Sequence, residues 1–293
     1  MSGSKRKMTN SRKTVTGFLF LACLLLAGNL LADAAKTYRI GLTAVILTDQ
    51  TSFLKEWQDY LSDRLQHPVQ FVQRQTYQEV TELLLSGDLD AAWTCGYPYV
   101  RHRDQLKLLG VPLFNGAPLY RSYLIVPATD TSTRAITDLK RKVFAYSDPD
   151  SNSGFLYPQV SLIREGIEPR HFFSKSFFTW AHRDVVKAVA DGVAQGGAVD
   201  GYVWETLSRH EPALTAGTRL VSQSPLFGFP PLVVRKDIPP QHFYALKNAL
   251  LKMSSDTEGR RLLQRLNLDG FSEGEDALFD GVAESVRILD GIE

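Results

Sequence analysis

Two cysteines in 293 residues are too few for a disulfide framework. Cys23 falls in an apolar run near the N-terminus, which leaves Cys95 alone in the rest of the chain. An intramolecular disulfide beyond that run is therefore excluded. A dominant charge is lacking too: 33 Lys and Arg against 32 Asp and Glu leave a formal net charge of +1. Without a polybasic stripe the chain does not read as a nucleic-acid partner. After residue 34 no apolar run reaches membrane-spanning length. There is no G-x-S-x-G elbow, H-E-x-x-H helix, Walker loop or metal-ligand spacing. The residues thus call for no catalytic set, no metal and no organic cofactor.

What is present begins with an export signal. Lys5, Arg6, Lys7, Arg12 and Lys13 form a basic start, and no charge occurs from Thr14 to Ala32. "GFLFLACLLLAGNLLA" supplies the apolar stretch and "ADA" at 32–34 an A-x-A-like cleavage site. Residues 1–34 read as a signal peptide cleaved near Ala34. The alternatives are a short membrane anchor and a lipoprotein modified at Cys23, but few apolar residues precede that cysteine. Without residues 1–34, which hold five basic side chains and one acidic, the counts fall to 28 and 31. The remaining chain reads as a slightly acidic, soluble, exported protein.

Its order suggests a βαβ sheet with mostly parallel strands. "TYRIGLTAV" reads as a buried strand. "TSFLKEWQDYLSDRL" places Phe53, Leu54, Trp57, Leu61 and Leu65 on one helical face. "PVQFVQRQ" is a second strand. "TYQEVTELLLSG" opens with Thr76 and Glu79 at capping-box spacing and stops at Gly87. "LDAAWTCG" is a third strand. Strand, helix and strand recur through 138–204, and helical runs finish the chain. Extended segments near 118–125 and 222–235 read as crossings between two α/β lobes: 35–120, then 121–222, with 223–293 returning to the first. Ligands of open α/β sheets collect at the carboxyl ends of strands, which two lobes turn into a cleft.

Four junctions could carry chemistry. "SDPDSNSGF" (147–155) lies between the strand "KVFAY" and a helix. Ser151, Asn152 and Ser153 offer donors there, and Gly154 permits close approach to the backbone. Free amides at a helix start add to an anion site. The plain alternative is a cap and a turn. Asp148 and Asp150 oppose an anion unless they point away. Pro158 fits a first helical turn and not an interior, so the regular helix starts late. "WTCGYPYV" puts Thr94, Cys95 and Tyr97 after a strand, with core packing as their ordinary role. His182 in "FTWAHRDVV" stands at a helix start, able to donate to an oxyanion or to serve only structure. Thr48, Asp49, Gln50 and Thr51 follow the first strand and read best as a cap.

"FAYSDPDSNSGFLYP", "FTWAHRDVVKAVADG" and "AVDGYVW" together resemble the phosphate/phosphite/phosphonate-binding proteins of ABC importers, over about 38–290. The resemblance implies a two-lobed type II periplasmic binding protein fold, α/β, with a hinge and an interlobe cleft. It implies that Ser151, Asn152, Ser153 and His182 hold the ligand's oxyanion, and that the partners are a small oxyanion and an inner-membrane ABC permease. Those proteins carry an aromatic residue after the strand tryptophan, where this chain reads Thr94-Cys95. Only Glu205 and Asp200 stand as candidates for a ligand amine. Arsenite-binding relatives use a cysteine, so the lone Cys95 keeps open an arsenite or other thiophilic-oxyanion receptor feeding a sensor kinase. A reading of another class is an enzyme with Cys95 as nucleophile and His182 as base.

Overall fold

In the computed structural model, which describes residues 36–43 and 51–291 together with Met1 and Gly3, the chain enters its first strand at Tyr38. The leader, Cys23 and the polar run Thr48, Asp49 and Gln50 lie outside the described residues. Cα packing divides the chain into Met1–Thr37 and Tyr38–Glu293, and every element below belongs to the second unit.

The first stretch runs β1 (Tyr38–Leu42), α1 (Thr51–Leu65), β2 (Val69–Gln73), α2 (Tyr77–Ser86), β3 (Ala91–Trp93), α3 (Gly96–Arg101) and β4 (Leu106–Leu113). The chain continues through β5 (Leu119–Tyr120), β6 (Ser122–Pro127), β7 (Val143–Tyr146), α4 (Tyr157–Arg164), β8 (Lys175–Phe178), α5 (His182–Ala190), β9 (Gly196–Asp200), α6 (Gly201–His210), α7 (Pro212–Ala216) and β10 (Thr218–Gln223). It returns through β11 (Phe227–Gly228), β12 (Leu232–Arg235), α8 (Pro240–Leu251), α9 (Thr257–Arg265), β13 (Gly270–Ser272) and α10 (Asp280–Asp290).

These strands form a six-stranded sheet, β13-β4-β12-β3-β1-β2, and a five-stranded sheet, β10-β6-β9-β7-β8. A two-stranded ribbon, β5 with β11, pairs Tyr120 with Phe227 and Leu119 with Gly228. Within the sheets, β2 and β3 flank β1 in parallel, and β8 and β9 flank β7 in parallel, as right for strand–helix–strand units. The sheets are nonetheless mixed rather than mostly parallel. β12 runs antiparallel to β3 and β4, and β6 antiparallel to β9 and β10. β12 arrives from the ribbon without a crossover helix, so it enters in the opposite sense. β4 was not expected as a strand, since Gly110 and Pro112 interrupt its apolar run. Pro112 pairs only with Phe271 of the short β13, beyond the end of β12.

Local signals place the elements that matter. Trp57 on α1 meets Trp93 of β3 edge-on at 5.9 Å and Phe71 of β2 at 4.9 Å between centroids, joining helix to sheet through three rings. α2 begins with a true capping box: Thr76 Oγ1 accepts from Glu79 N at 3.1 Å, and the Glu79 carboxylate accepts from Thr76 N at 3.0 Å. It ends at Gly87, whose φ of 88° is left-handed. This cap aims Tyr77 inward at the edge of the candidate site. Glu79 is exposed and Thr76 half-buried, so Thr76→Ala removes little besides the cap. It is expected to lower stability by about 1 kcal/mol. Urea midpoints of the two proteins check this, and an unchanged midpoint would show that the cap is not needed.

Candidate oxyanion-binding site

The carboxyl end of β7 runs into Ser147 and then into a single π-type turn, Asn152–Leu156, before α4. Ser151 caps that turn: its Oγ accepts from Gly154 N at 2.9 Å, and its carbonyl accepts from the amides of Phe155 and Leu156. Pro158 sits in the first turn of α4, where a missing N–H leaves no ladder bond unmade. The late helix start expected from that proline is what the chain adopts. The amides before it are less free than expected. Asn152 N–H donates to Cys95 Sγ at 3.2 Å, and Asn152 Nδ2 donates to the Tyr120 hydroxyl at 2.9 Å. The Ser153 carbonyl accepts from Ser122 Oγ at 2.7 Å. Elements of both sheets and of the ribbon thus converge on four residues.

Side-chain atoms left over at this convergence define the site. Tyr77 OH, Thr94 Oγ1, Ser147 Oγ, Asn152 Oδ1 and Ser153 Oγ are buried and bond to nothing in the protein. Their residues are at most 2% exposed. Burying a hydroxyl without a partner costs about 1–3 kcal/mol, so a cluster of four is not a neutral accident of packing. All four hydroxyls have a proton to give, and an oxyanion supplies the lone pairs they lack.

No cation balances that anion. Among the described residues no lysine or arginine is buried. His182, 1% exposed, is held neutral, its pKa pushed down to about 3 by burial. Its Nδ1 accepts from Asp200 N at 3.0 Å, so the neutral ring carries its proton on Nε2, 3.5 Å from Ser151 Oγ. Asp200 caps α6 by accepting from Tyr202 N at 2.8 Å, and burial raises its pKa to about 8. Asp148 accepts from Tyr77 N and Asp150 N at 3.1 and 2.8 Å, and burial raises it to about 6. The Cys95 thiol is pushed up to about 11 by burial, against the pull of the Tyr97 and Asn152 amides. Apart from Asp148, a carboxylate at neutral pH whose oxygens are spent on backbone amides, the groups gathered here are neutral dipoles.

Of the residues read from the sequence, Thr94, Cys95, Ser151, Asn152, Ser153, Gly154 and His182 come together here. Gly154 has another reason than close approach of a ligand. A Cβ there would stand 1.9 Å from Ser147 Oγ and 3.1 Å from His182 Cε1, so only glycine fits between them. Tyr97 is not brought in: its ring lies under the Arg101 guanidinium at 5.4 Å and faces an outward groove with Pro149, Asp150 and Leu289. Asp150 shares that groove and so points away from the donors, whereas Asp148 is spent on backbone amides. Glu205 accepts from the Tyr123 hydroxyl and Asp200 caps α6, so each carboxyl already has a partner other than a ligand amine. Tyr77, Ser147 and Tyr120 were missed. Ser147 closes the strand "KVFAY" and was legible by the carboxyl-end rule. Tyr77 and Tyr120 carry no local signal. Cys95 and His182 share no hydrogen bond, and a thiol raised to about 11 beside a histidine lowered to about 3 is the reverse of an activated pair.

Comparison with known proteins decides the family. Residues 45–279 match the profile of a family described as "ABC transporter, phosphonate, periplasmic substrate-binding protein". The chain belongs to that family. It is similar to the phosphate-import protein PhnD of Mycolicibacterium smegmatis, 30% identical over 180 residues. That match spans 56% of each chain, little over half the relative's length. A probable phosphite-binding protein PhnD1 of Prochlorococcus marinus is 22% identical over 244 residues, 79% of this chain and 82% of the relative. Its solved structure with methylphosphonate superposes with a TM-score of 0.79 at 21% identity, over 87% of this chain and 98% of that one. A phosphonate-transporter binding component from Pseudomonas aeruginosa gives 0.79 at 19% identity, over 86% and 85%. The fold is therefore that of the two-lobed periplasmic binding proteins.

Asp200 makes the buried site visible in a titration. Its folded pKa is raised, so the folded protein holds a proton that the unfolded chain releases above about pH 4. Stability contributed by that protonated form is full below pH 4 and is lost as pH rises through about 8. Asp200→Asn keeps the cap oxygen and does not titrate. The stability of wild type relative to Asp200→Asn is expected to fall steadily between those limits, read from denaturant midpoints of both proteins. A gap independent of pH would place Asp200 in contact with water.

Proposed function

We propose that this family member is a periplasmic solute-binding protein that captures a small tetrahedral phosphorus oxyanion, a phosphonate, phosphite or phosphate, and delivers it to an ABC permease in the inner membrane. The observation that carries this reading is the set of buried hydroxyls without acceptors at the strand–helix junction 147–154. Ser153, Ser147, Thr94 and Tyr77 would donate to the anion, and His182 Nε2–H would add a fifth donor. The named ligands of the relatives, phosphate, phosphite and methylphosphonate, agree in being phosphorus oxyanions. In this reading residues 35–120 and 223–293 form lobe 1, residues 121–222 form lobe 2, and the β5–β11 ribbon lies at the hinge.

The arsenite reading has less to stand on. Cys95 is held in its thiol form, and its sulfur already accepts the Asn152 amide, so it is not presented as a soft anionic ligand. A sensor kinase as partner has no separate support.

Calorimetric titration of the exported protein with phosphate, phosphite, methylphosphonate, sulfate and arsenite tests the reading. A phosphorus anion should bind. Ser153→Ala should weaken it roughly 10- to 150-fold, the loss of one hydrogen bond to a charged group. Because Ser153 Oγ has no partner in the protein, the same change should leave stability unaltered or raise it. Cys95→Ser should hold phosphorus-anion binding within about threefold. Arsenite bound in preference, and lost on Cys95→Ser, would replace this reading with the thiophilic one.

Residence in the periplasm requires that residues 1–34 act as the export signal. Mass spectrometry of the periplasmic product is expected to show a chain starting next to Ala34, and a product starting at Met1 would refute cleavage.

A further inference from the structure

We propose that Ser122 is a positioning residue that couples the two chain crossings to the oxyanion loop, so that movement at the hinge and presentation of Ser153 are one event. The proposal rests on the reading of 151–154 as the ligand loop.

Ser122 is the first residue of β6, two residues after the ribbon strand β5 ends at Tyr120. It faces the same side of its strand as Leu124 and Val126, both buried and apolar. A hydroxyl in that row is not needed by the sheet. Its backbone is bonded to the other crossing: Ser122 N–H donates to Ser224 Oγ at 2.8 Å, and Ser122 O accepts from Ser224 N at 2.9 Å. Ser224 lies between β10 and β11, and its own hydroxyl donates to Pro225 O at 2.6 Å. The Arg121 guanidinium donates to the Ser224 carbonyl as well. Outgoing and returning strands are thus clamped at one point.

The Ser122 side chain carries that point to the loop. Its single hydroxyl proton goes to the Ser153 carbonyl at 2.7 Å. This carbonyl belongs to the same peptide plane as Gly154 N–H, which donates to Ser151 Oγ. One rigid plane therefore connects Ser122, Ser151 and Ser153. Ser122 and Ser224 are 3% and 1% exposed, so water is poorly placed to replace a broken link. A shift of the crossings in either direction must drag or release the plane that sets the Ser153 hydroxyl.

The decisive variant is Ser224→Ala, since Ser224 bonds to Ser122 and not to the loop. Hydrogen–deuterium exchange of the peptide covering 152–156 is expected to speed up about three- to tenfold in Ser224→Ala and in Ser122→Ala, the loss of one neutral hydrogen bond. Exchange in β12 should stay as in wild type. Methylphosphonate affinity, measured by calorimetry, should fall by a similar factor in both variants. Wild-type exchange at 152–156 in Ser224→Ala overturns the proposal, and so does a uniform acceleration across the protein with affinity unchanged. Should Ser122→Ala not fold, the Ser224→Ala comparison decides alone. A wild-type protein that binds no phosphorus anion defeats the functional reading, while the exchange comparison still settles the coupling.

Discussion

A hydroxyl stripped of water and left without an acceptor is a standing penalty, and the site collects four of them within a few residues of one another in the fold. The rest of the structure is arranged around that constraint. Ser147 can sit against the loop only because residue 154 has no side chain. The π-type turn exists because Pro158 blocks an earlier helix, and it leaves the Ser153 hydroxyl unspent. Tyr77 follows the Thr76 cap of α2 and is turned inward. Each of these features is ordinary alone. Their common effect is a shell of donors that the protein cannot satisfy by itself.

The absence of a buried lysine or arginine among the described residues sets the character of that shell. A lysine or arginine would attract any anion, including the abundant wrong ones, and would be costly to bury in the empty protein. Neutral donors are cheaper to hold dry and act only at hydrogen-bond distance, so shape and protonation of the ligand weigh more than its charge. Two carboxyl groups with raised pKa values, Asp148 and Asp200, lie at the same convergence. Asp148 spends both oxygens on backbone amides, and Asp200 spends its Oδ1 on two of them. Cys95 fits the same logic. Its sulfur occupies one amide of the loop and contributes a compact, weakly polar wall in place of the aromatic residue that the resemblance leads one to expect.

Much of this was legible in the chain before folding was considered. The parallel units around β1 and β7 follow from alternating strand and helix patterns with short turns, and the capping box at Thr76 was plain from its spacing. The cluster Ser151, Asn152, Ser153 stood out because three short polar side chains before a glycine rarely serve a helix interior. β4 was hidden by Gly110 and Pro112, and the mixed sense of the sheets by the lack of any local mark for an antiparallel return. Tyr97 illustrates the opposite case: two residues after Cys95 in sequence, it is buried with its ring under the Arg101 guanidinium and not among the loop's donors.

The sequence by itself determined the elements, the loop and the type of chemistry, since periodicity, capping and donor inventory are properties of neighbours along the chain. Only the tertiary structure decided which donors are spent and which remain. Ser151 lies two residues from Ser153, yet one hydroxyl caps a turn and the other is left free. Tyr77, Tyr120 and Ser122 joined the loop from 30 or more positions away, along paths that no local pattern encodes. Hydrogen-bond satisfaction is a sum over contacts in space. It becomes defined only when the sheets and the ribbon between them have brought distant residues within three ångströms of one another.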